Sequence, residues 1–285
     1  MQAATCPILF YRNKVTTVES NALAGKLVEL IDTTIATSVS IPIIGLSGPQ
    51  GSGKSTALNI VCEQSRYRIA SLGLDDFYLP KADRLLLSDR ISPLFATRGP
   101  PGTHDLNLLD STIDSLLKAT SQSRSLIPGF DKALDDRLPK HTWYSFTGVP
   151  DAIVLECWMV GATLPPNFLA SAPMNQVEAQ DKNSVWRQEQ AEQLAGPYQS
   201  LWGKINQFIH ITGPEFSAVK KWRLEQEASN QSVALGELSE ERQQWVAEFI
   251  QYFERITVAM QDGYKREGVT LLIDAERQYL KLTQP

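Results

Sequence analysis

Eight residues, Gly48-Pro49-Gln50-Gly51-Ser52-Gly53-Lys54-Ser55, match the spacing G-x-x-x-x-G-K-[ST]. The glycines at 48, 51 and 53 let the backbone turn where a side chain would obstruct it, so successive amides can point at one phosphate. Lys54 is expected to reach the β- and γ-phosphates of ATP, and the Ser55 hydroxyl to ligate Mg2+. Thr56 follows in the first turn of a helix, where unpaired N–H groups and the positive dipole end add to anion binding. The apolar run "IPIIGLSG" before the loop and the helical stretch "STALNIVCEQ" after it supply the strand-to-helix context this motif requires.

Carboxylates come next. Asp75 and Asp76 end the strand-like stretch "RIASLGLDDFY", and Glu156 ends "AIVLE". Phosphorylating a hydroxyl needs a carboxylate to orient it and accept its proton, with Mg2+ neutralising the phosphates. Glu156 suits a metal bound directly or through water; an ordinary strand-end charge is the alternative. The segment "RGPPGTHD", Arg98 to Asp105, offers Arg98 for a carboxylate and Thr103, His104 and Asp105 for hydroxyls, a set fitting a small hydroxy acid. By its residues alone it reads equally as a Pro/Gly turn that Asp105 caps onto the next helix.

Strands alternating with helices must position these groups. Helices are expected at 17–38, after the glycine loop and at 105–119. Strands are expected around "SIPIIGLSG" and "RIASLG", at 152–157, at "NQFIHIT" and at "GVTLLIDAERQ", the last of them. A polar stretch at 176–200 reads as a partly exposed helix, and a long helical region runs from "EFSAVKKWRLEQEA" through "EERQQWVAEFIQYFERITVAM". This order implies an α/β fold with a mainly parallel sheet covered on both faces, and ligands at the carboxyl ends of its strands. We expect one domain over 1–285, with an N-terminal helical extension over about 1–39.

Composition excludes several classes. The net charge of -5 leaves no broad basic field for nucleic acid or an acidic membrane surface, nor for a DNA-dependent motor. No apolar run reaches the ~18 residues of a membrane span. Three widely spaced cysteines fit reduced thiols and a cytoplasmic location. A guanine-reading N-K-x-D is missing, since Asn13-Lys14 precedes the loop and continues Val-Thr. The six tryptophans are scattered as packing residues are, and His141 and His210 have no metal-ligand spacing.

Taken in order, "SGPQGSGKST", "LDDFYLP", "RGPPGTHD", "PGFDKALDDR", "LECWMVG" and "WRLEQE" resemble the plant-type D-glycerate 3-kinases and their fungal ATP-binding homologues. These are P-loop kinases similar to uridine kinase, phosphoribulokinase and pantothenate kinase. The resemblance implies a three-layer P-loop NTPase sandwich with a helical lid, about 213–245. It implies Asp75 as base and as a metal-side carboxylate, with Asp76 and Tyr78 beside it on the acceptor side. Glu156 matches the family's Mg2+-side glutamate. Arg223, with Lys220 and Lys221, matches the lid that covers the phosphates, and a solvated helix face is the ordinary reading of that cluster. Asp131 and Lys132 match an acceptor-side motif whose ordinary reading is a turn. The chain departs from the family pattern at Pro100 and Cys157. The implied acceptor is D-glycerate or another small hydroxy compound.

Overall fold

The computed structural model describes residues 20–284. The first nineteen residues of the expected N-terminal extension lie outside the described residues. The strands are β1 (Ile43–Ser47), β2 (Ile69–Gly73), β3 (Arg124–Ile127), β4 (Phe130–Asp131), β5 (Asp136–Arg137), β6 (Tyr144–Thr147), β7 (Ala152–Cys157), β8 (Gln207–Thr212), β9 (Val269–Ile273) and β10 (Tyr279–Thr283). Six of them form one sheet in the order β10-β9-β8-β1-β7-β2. Every neighbouring pair is parallel except β10 on β9. The other four strands make two short antiparallel pairs, β3–β6 and β4–β5.

All five residues of β1 are buried, and in β7 only Glu156 is not. Near-continuous burial is what a parallel sheet covered on both faces demands. The helices α1 (Ser20–Thr37) and α2 (Lys54–Gln64) pack together. Leu23, Leu27 and Ile31 recur every four residues on α1, and all three are buried in the main core. From Leu23 to Ile31 one face of α1 therefore packs into the core.

Next come α3 (Lys81–Arg90), α4 (Leu106–Leu117), α5 (Gln176–Gln180), α6 (Val185–Gln193) and α7 (Gln199–Trp202). The expected helix over 176–200 is broken at Asn183 and Ser184, whose φ values are 65° and 57°. It is also less exposed than its polar composition suggests. Trp186, Arg187, Gln190 and Tyr198 are buried, and the Asp181 carboxylate accepts from the amides of Trp186 and Arg187. The long helical region divides into α8 (Phe216–Asn230), α9 (Glu240–Phe249) and α10 (Glu254–Gln261). Besides the short paired strands β3 to β6, one strand of the main sheet escaped the sequence reading. After β9 the chain turns back as β10, a half-exposed antiparallel edge without a continuous apolar run. No helix among the described residues is long and apolar enough to cross a membrane.

Leu27 is fully buried between α1 and the core. Leu27→Ala is expected to cost about 2–5 kcal/mol, lowering the urea midpoint with an unchanged slope. A midpoint within error of the parent would show that α1 does not belong to the cooperative core.

Candidate active site

The glycine loop leaves β1 at its carboxyl end and enters α2. Gly51 and Gly53 have φ of 74° and 85°, the left-handed region that glycine occupies without steric cost. At Gly51 there is no room either, because an added Cβ would lie 2.5 Å from the Trp222 Cβ. Gly53 is the N-cap of α2 and offers no capping side chain, so the first-turn amides keep their capacity for a ligand. Within the loop the Gln50 Oε1 and Ser52 Oγ atoms are buried without a partner. The parallel register sets Glu156 of β7 opposite Leu46 of β1. Its carboxylate then accepts from the Ser55 hydroxyl at 2.8 Å and lies 3.3 Å from the Lys54 ammonium.

This donor set fits a magnesium triphosphate. Mg2+ takes one or two protein oxygens and completes its octahedron with waters and phosphate oxygens, so a closed protein cage is not required. Among the described residues no group of three or more His, Cys, Asp or Glu side chains is placed to hold a metal alone. Ser55 and Glu156 are the residues for it, with Lys54 beside them.

The two aspartates lie just past β2, in a 3-10 turn over Leu74–Phe77 rather than in the strand itself. Asp75 Oδ1 accepts from the Tyr78 hydroxyl at 2.7 Å, and Oδ2 from the Lys132 ammonium at 2.9 Å. Burial alone would raise the pKa of Asp75. Lys132 and Tyr78, with Lys54 farther off, outweigh it and hold the carboxyl well below its usual range. Asp75 in turn pushes the Lys132 ammonium up. Burial raises Asp76 to about 7, partly opposed by Lys132 and reinforced by the Asp75 and Glu156 carboxylates. Adjacent carboxyls are thus split, one ionised throughout the physiological range and one sharing its proton near neutrality. Tyr78 is pushed well above its usual value by burial and by Asp75, so it remains a donor.

The segment "RGPPGTHD" is sewn to that turn. Leu79 N donates to Thr103 O at 2.9 Å, and Asp105 N donates to Phe77 O at 2.7 Å. The Thr103 hydroxyl is fully buried, donates to Pro100 O and accepts from Gly99 N. Asp105 caps α4 through Leu108 N and pairs with Arg137 at 3.1 Å. Asp131 accepts from the amides of Ala133 and Leu134. In each of these three residues at least one polar side-chain atom is bonded inside the loops they shape. His104 Nδ1 bonds the Tyr198 hydroxyl at 2.6 Å, its ring lies 4.7 Å from that of Tyr78, and burial lowers its pKa to about 4. The imidazole is neutral at pH 7, and its Nε2 is buried without a partner.

Arg98 pairs with Asp135, and Arg223 with Glu227 at 3.1 Å. Their guanidinium carbons lie 5.9 Å and 5.5 Å from the same ring, Phe249. Burial lowers the pKa of Arg223; Glu227 opposes this, while Arg98 adds repulsion. Arg98 likewise repels Lys132. Lys132, Arg98 and Arg223 therefore form an arc of cations from the aspartate turn to α8. Lys220 and Lys221 point to solvent, the ordinary reading of that helix face. The sequence reading missed Asp135, Phe130 and Phe249, whose partners are distant along the chain. Positive φ at Asp135, 56°, has no signature beyond an Asp in a loop.

No protein-family model matches the chain. It is 29% identical over 223 residues to the kinase mug58 of Schizosaccharomyces pombe, spanning 74% of this chain and 78% of that one. It is 30% identical over 220 residues to the chloroplastic D-glycerate 3-kinase of Arabidopsis thaliana, spanning 73% of this chain and 46% of the plant enzyme. The chain thus covers about half the length of that relative. Its fold matches the structure of a D-glycerate 3-kinase from Cryptococcus neoformans with a TM-score of 0.74 and 24% identity, over 92% of this chain and 99% of that one. Its homologues thus include plant D-glycerate 3-kinase and fungal kinases, and its fold is that of the P-loop kinases.

Proposed function

We propose that the chain transfers the γ-phosphoryl group of ATP, with Mg2+, to a hydroxyl of a small hydroxy acid, with D-glycerate as acceptor and its 3-hydroxyl as target. The observation that carries this is Asp75, held ionised by Lys132 and Tyr78 and within electrostatic reach of Lys54. The names of the plant and Cryptococcus relatives support the acceptor.

The loop amides cradle the phosphates, and Lys54 draws charge from the β- and γ-oxygens. Ser55 and Glu156 would hold Mg2+, which would supply charge neutralisation to the phosphates. Asp75 orients the acceptor hydroxyl and takes its proton. A weakly basic carboxylate suits this task, since a loose phosphoryl-transfer transition state releases that proton late. Arg98 and Lys132 are the cations for the acceptor carboxylate. When the acceptor draws Lys132 away from Asp75, the aspartate regains proton affinity, so an acidic acceptor activates its own base. Residues 213–245, with Arg223, are the segment that closes over the nucleotide in this reading.

Lys54→Ala is expected to abolish transfer with the fold intact, and Asp75→Asn to lower kcat by ~10²-fold or more with ATP affinity kept within a few-fold. Near-normal turnover in the first variant would remove the loop from the mechanism. An active Asp75→Asn beside a crippled Asp76→Asn would move the base by one residue.

Lys132→Met removes the ammonium that keeps Asp75 ionised, so its carboxyl pKa rises. The acid limb of the kcat/KM profile, where Asp75 takes up a proton and activity is lost, is expected to move to higher pH. An acid limb at the parent position would show that Asp75 is not the titrating base.

Coupled ADP release with D-glycerate, L-glycerate, glycerol, uridine and pantothenate tests the acceptor. D-glycerate is expected to turn over best, and Arg98→Ala to raise its KM far more than that of ATP while narrowing the preference over glycerol. Turnover of uridine or pantothenate without D-glycerate would sink the acceptor assignment alone. ADP release unaffected by all five would favour a nucleotide switch.

A further inference from the structure

Arg277 lies in the turn between β9 and β10, at the far edge of the sheet. Asp274 shapes that turn, its Oδ1 accepting from Glu276 N at 3.0 Å and Gln278 N at 2.7 Å. Arg277 itself has φ of 65°, a left-handed backbone that a long side chain adopts only under compulsion. Its side chain explains the compulsion. The Nε–H donates to the carbonyl of Gly51 in the phosphate loop at 2.5 Å, and Nη2 donates to Glu225 Oε2 of α8 at 2.6 Å. The guanidinium carbon lies 5.4 Å from the ring of Trp222. The Trp222 indole N–H donates back to Ala275 O of the same turn at 2.6 Å.

The bond to Gly51 acts on the loop through peptide geometry. In a planar trans peptide the Gly51 carbonyl and the Ser52 N–H point in opposite directions. Drawing the carbonyl outward to Arg277 turns the Ser52 N–H toward the inside of the loop, where it reaches Pro49 O at 3.2 Å. Glycine has no Cβ to resist rotation of that peptide, so an external bond must hold it.

We propose that Arg277 is a positioning residue. Through Gly51 it holds the phosphate loop in its anion-binding form, and through Glu225 and Trp222 it ties that form to α8, the helix carrying Arg223. The inference rests on the proposed nucleotide site, not on the identity of the acceptor. Arg277 keeps 32% of its side-chain exposure, so replacing it opens no core cavity.

The test is equilibrium titration of ATP and Mg2+ into wild type, Arg277→Met, Arg277→Lys, Glu225→Gln and the Met/Gln double variant, each with its Tm. Arg277→Met is expected to weaken ATP binding about tenfold, the scale of one lost charge-assisted hydrogen bond, with Tm little changed. Arg277→Lys should recover only part, because an ammonium cannot span both acceptors with a planar fork. The double variant should be no weaker than Arg277→Met alone, since both changes break one link. Unchanged ATP affinity in Arg277→Met overturns the proposal. So does full additivity, or a loss of affinity that tracks a falling Tm across the series. Should Arg277→Met fail to fold, Arg277→Lys and Glu225→Gln report the same coupling. If wild type binds no ATP, the nucleotide reading falls instead, whereas a wrong acceptor leaves the titration intact.

Discussion

The hydrogen bond from the Ser55 hydroxyl to Glu156 ties together two strands and the helix between them. Ser55 belongs to the first turn of α2, and Glu156 to the end of β7. They meet because β1 and β7 run parallel in a register that ends both strands at one level. A slip of one residue would turn Glu156 to the other face of the sheet and put a buried apolar side chain in its place. Strand register, set by the buried β1 and the apolar residues of β7, is therefore also the constraint that brings Glu156 to the phosphate loop.

The acceptor side is organised by charge. Burial, reinforced by the neighbouring Asp75 and Glu156 carboxylates, makes Asp76 hold a proton up to about pH 7. Lys132 and Lys54 keep Asp75 ionised. The cations are themselves restrained, Arg98 by Asp135 and Arg223 by Glu227. Asp135 is doubly committed, since the wholly buried Arg84 also pairs with it at 3.0 Å. An anion that recruits these cations must compete with these carboxylates, so one that places its charge badly gains little.

What the sequence revealed divides along chain distance. The phosphate loop, Asp75, Glu156 and the Asp105 cap were legible because each is a local pattern attached to a strand or helix end. Lys132 on Asp75, Arg98 on Asp135 and Arg277 on Gly51 join residues 57, 37 and 226 positions apart, and no local periodicity encodes such pairs. The resemblance brought Lys132 to notice and the residue types of "RGPPGTHD" brought Arg98, but neither gave the pairings. Thr103, Asp105 and Asp131 show the converse. Their residue types suit substrate binding, yet short polar side chains in Gly/Pro loops bond their own backbone first. Trp222 read as packing, which it is, but the surface it packs includes the phosphate loop.

The two departures from the family pattern are absorbed without touching the reacting groups. Thr103 N donates to Pro100 O at 3.1 Å, closing a turn with Pro101 and Gly102 at its centre, and Gly102 has φ of 97°. Proline followed by a left-handed glycine is the arrangement of a type II turn, and its first residue contributes a carbonyl rather than an amide. Proline at 100 therefore gives up no donor that the turn uses. Cys157 follows Glu156 in β7, so its side chain leaves by the opposite face of the sheet, into the core. Burial pushes its thiol far above the usual range, which makes it an inert packing group rather than a nucleophile. Lys132, Arg98 and the aromatic pair Tyr78 and Phe130, whose rings meet edge to face at 5.1 Å, thus remain the groups of the proposed acceptor site.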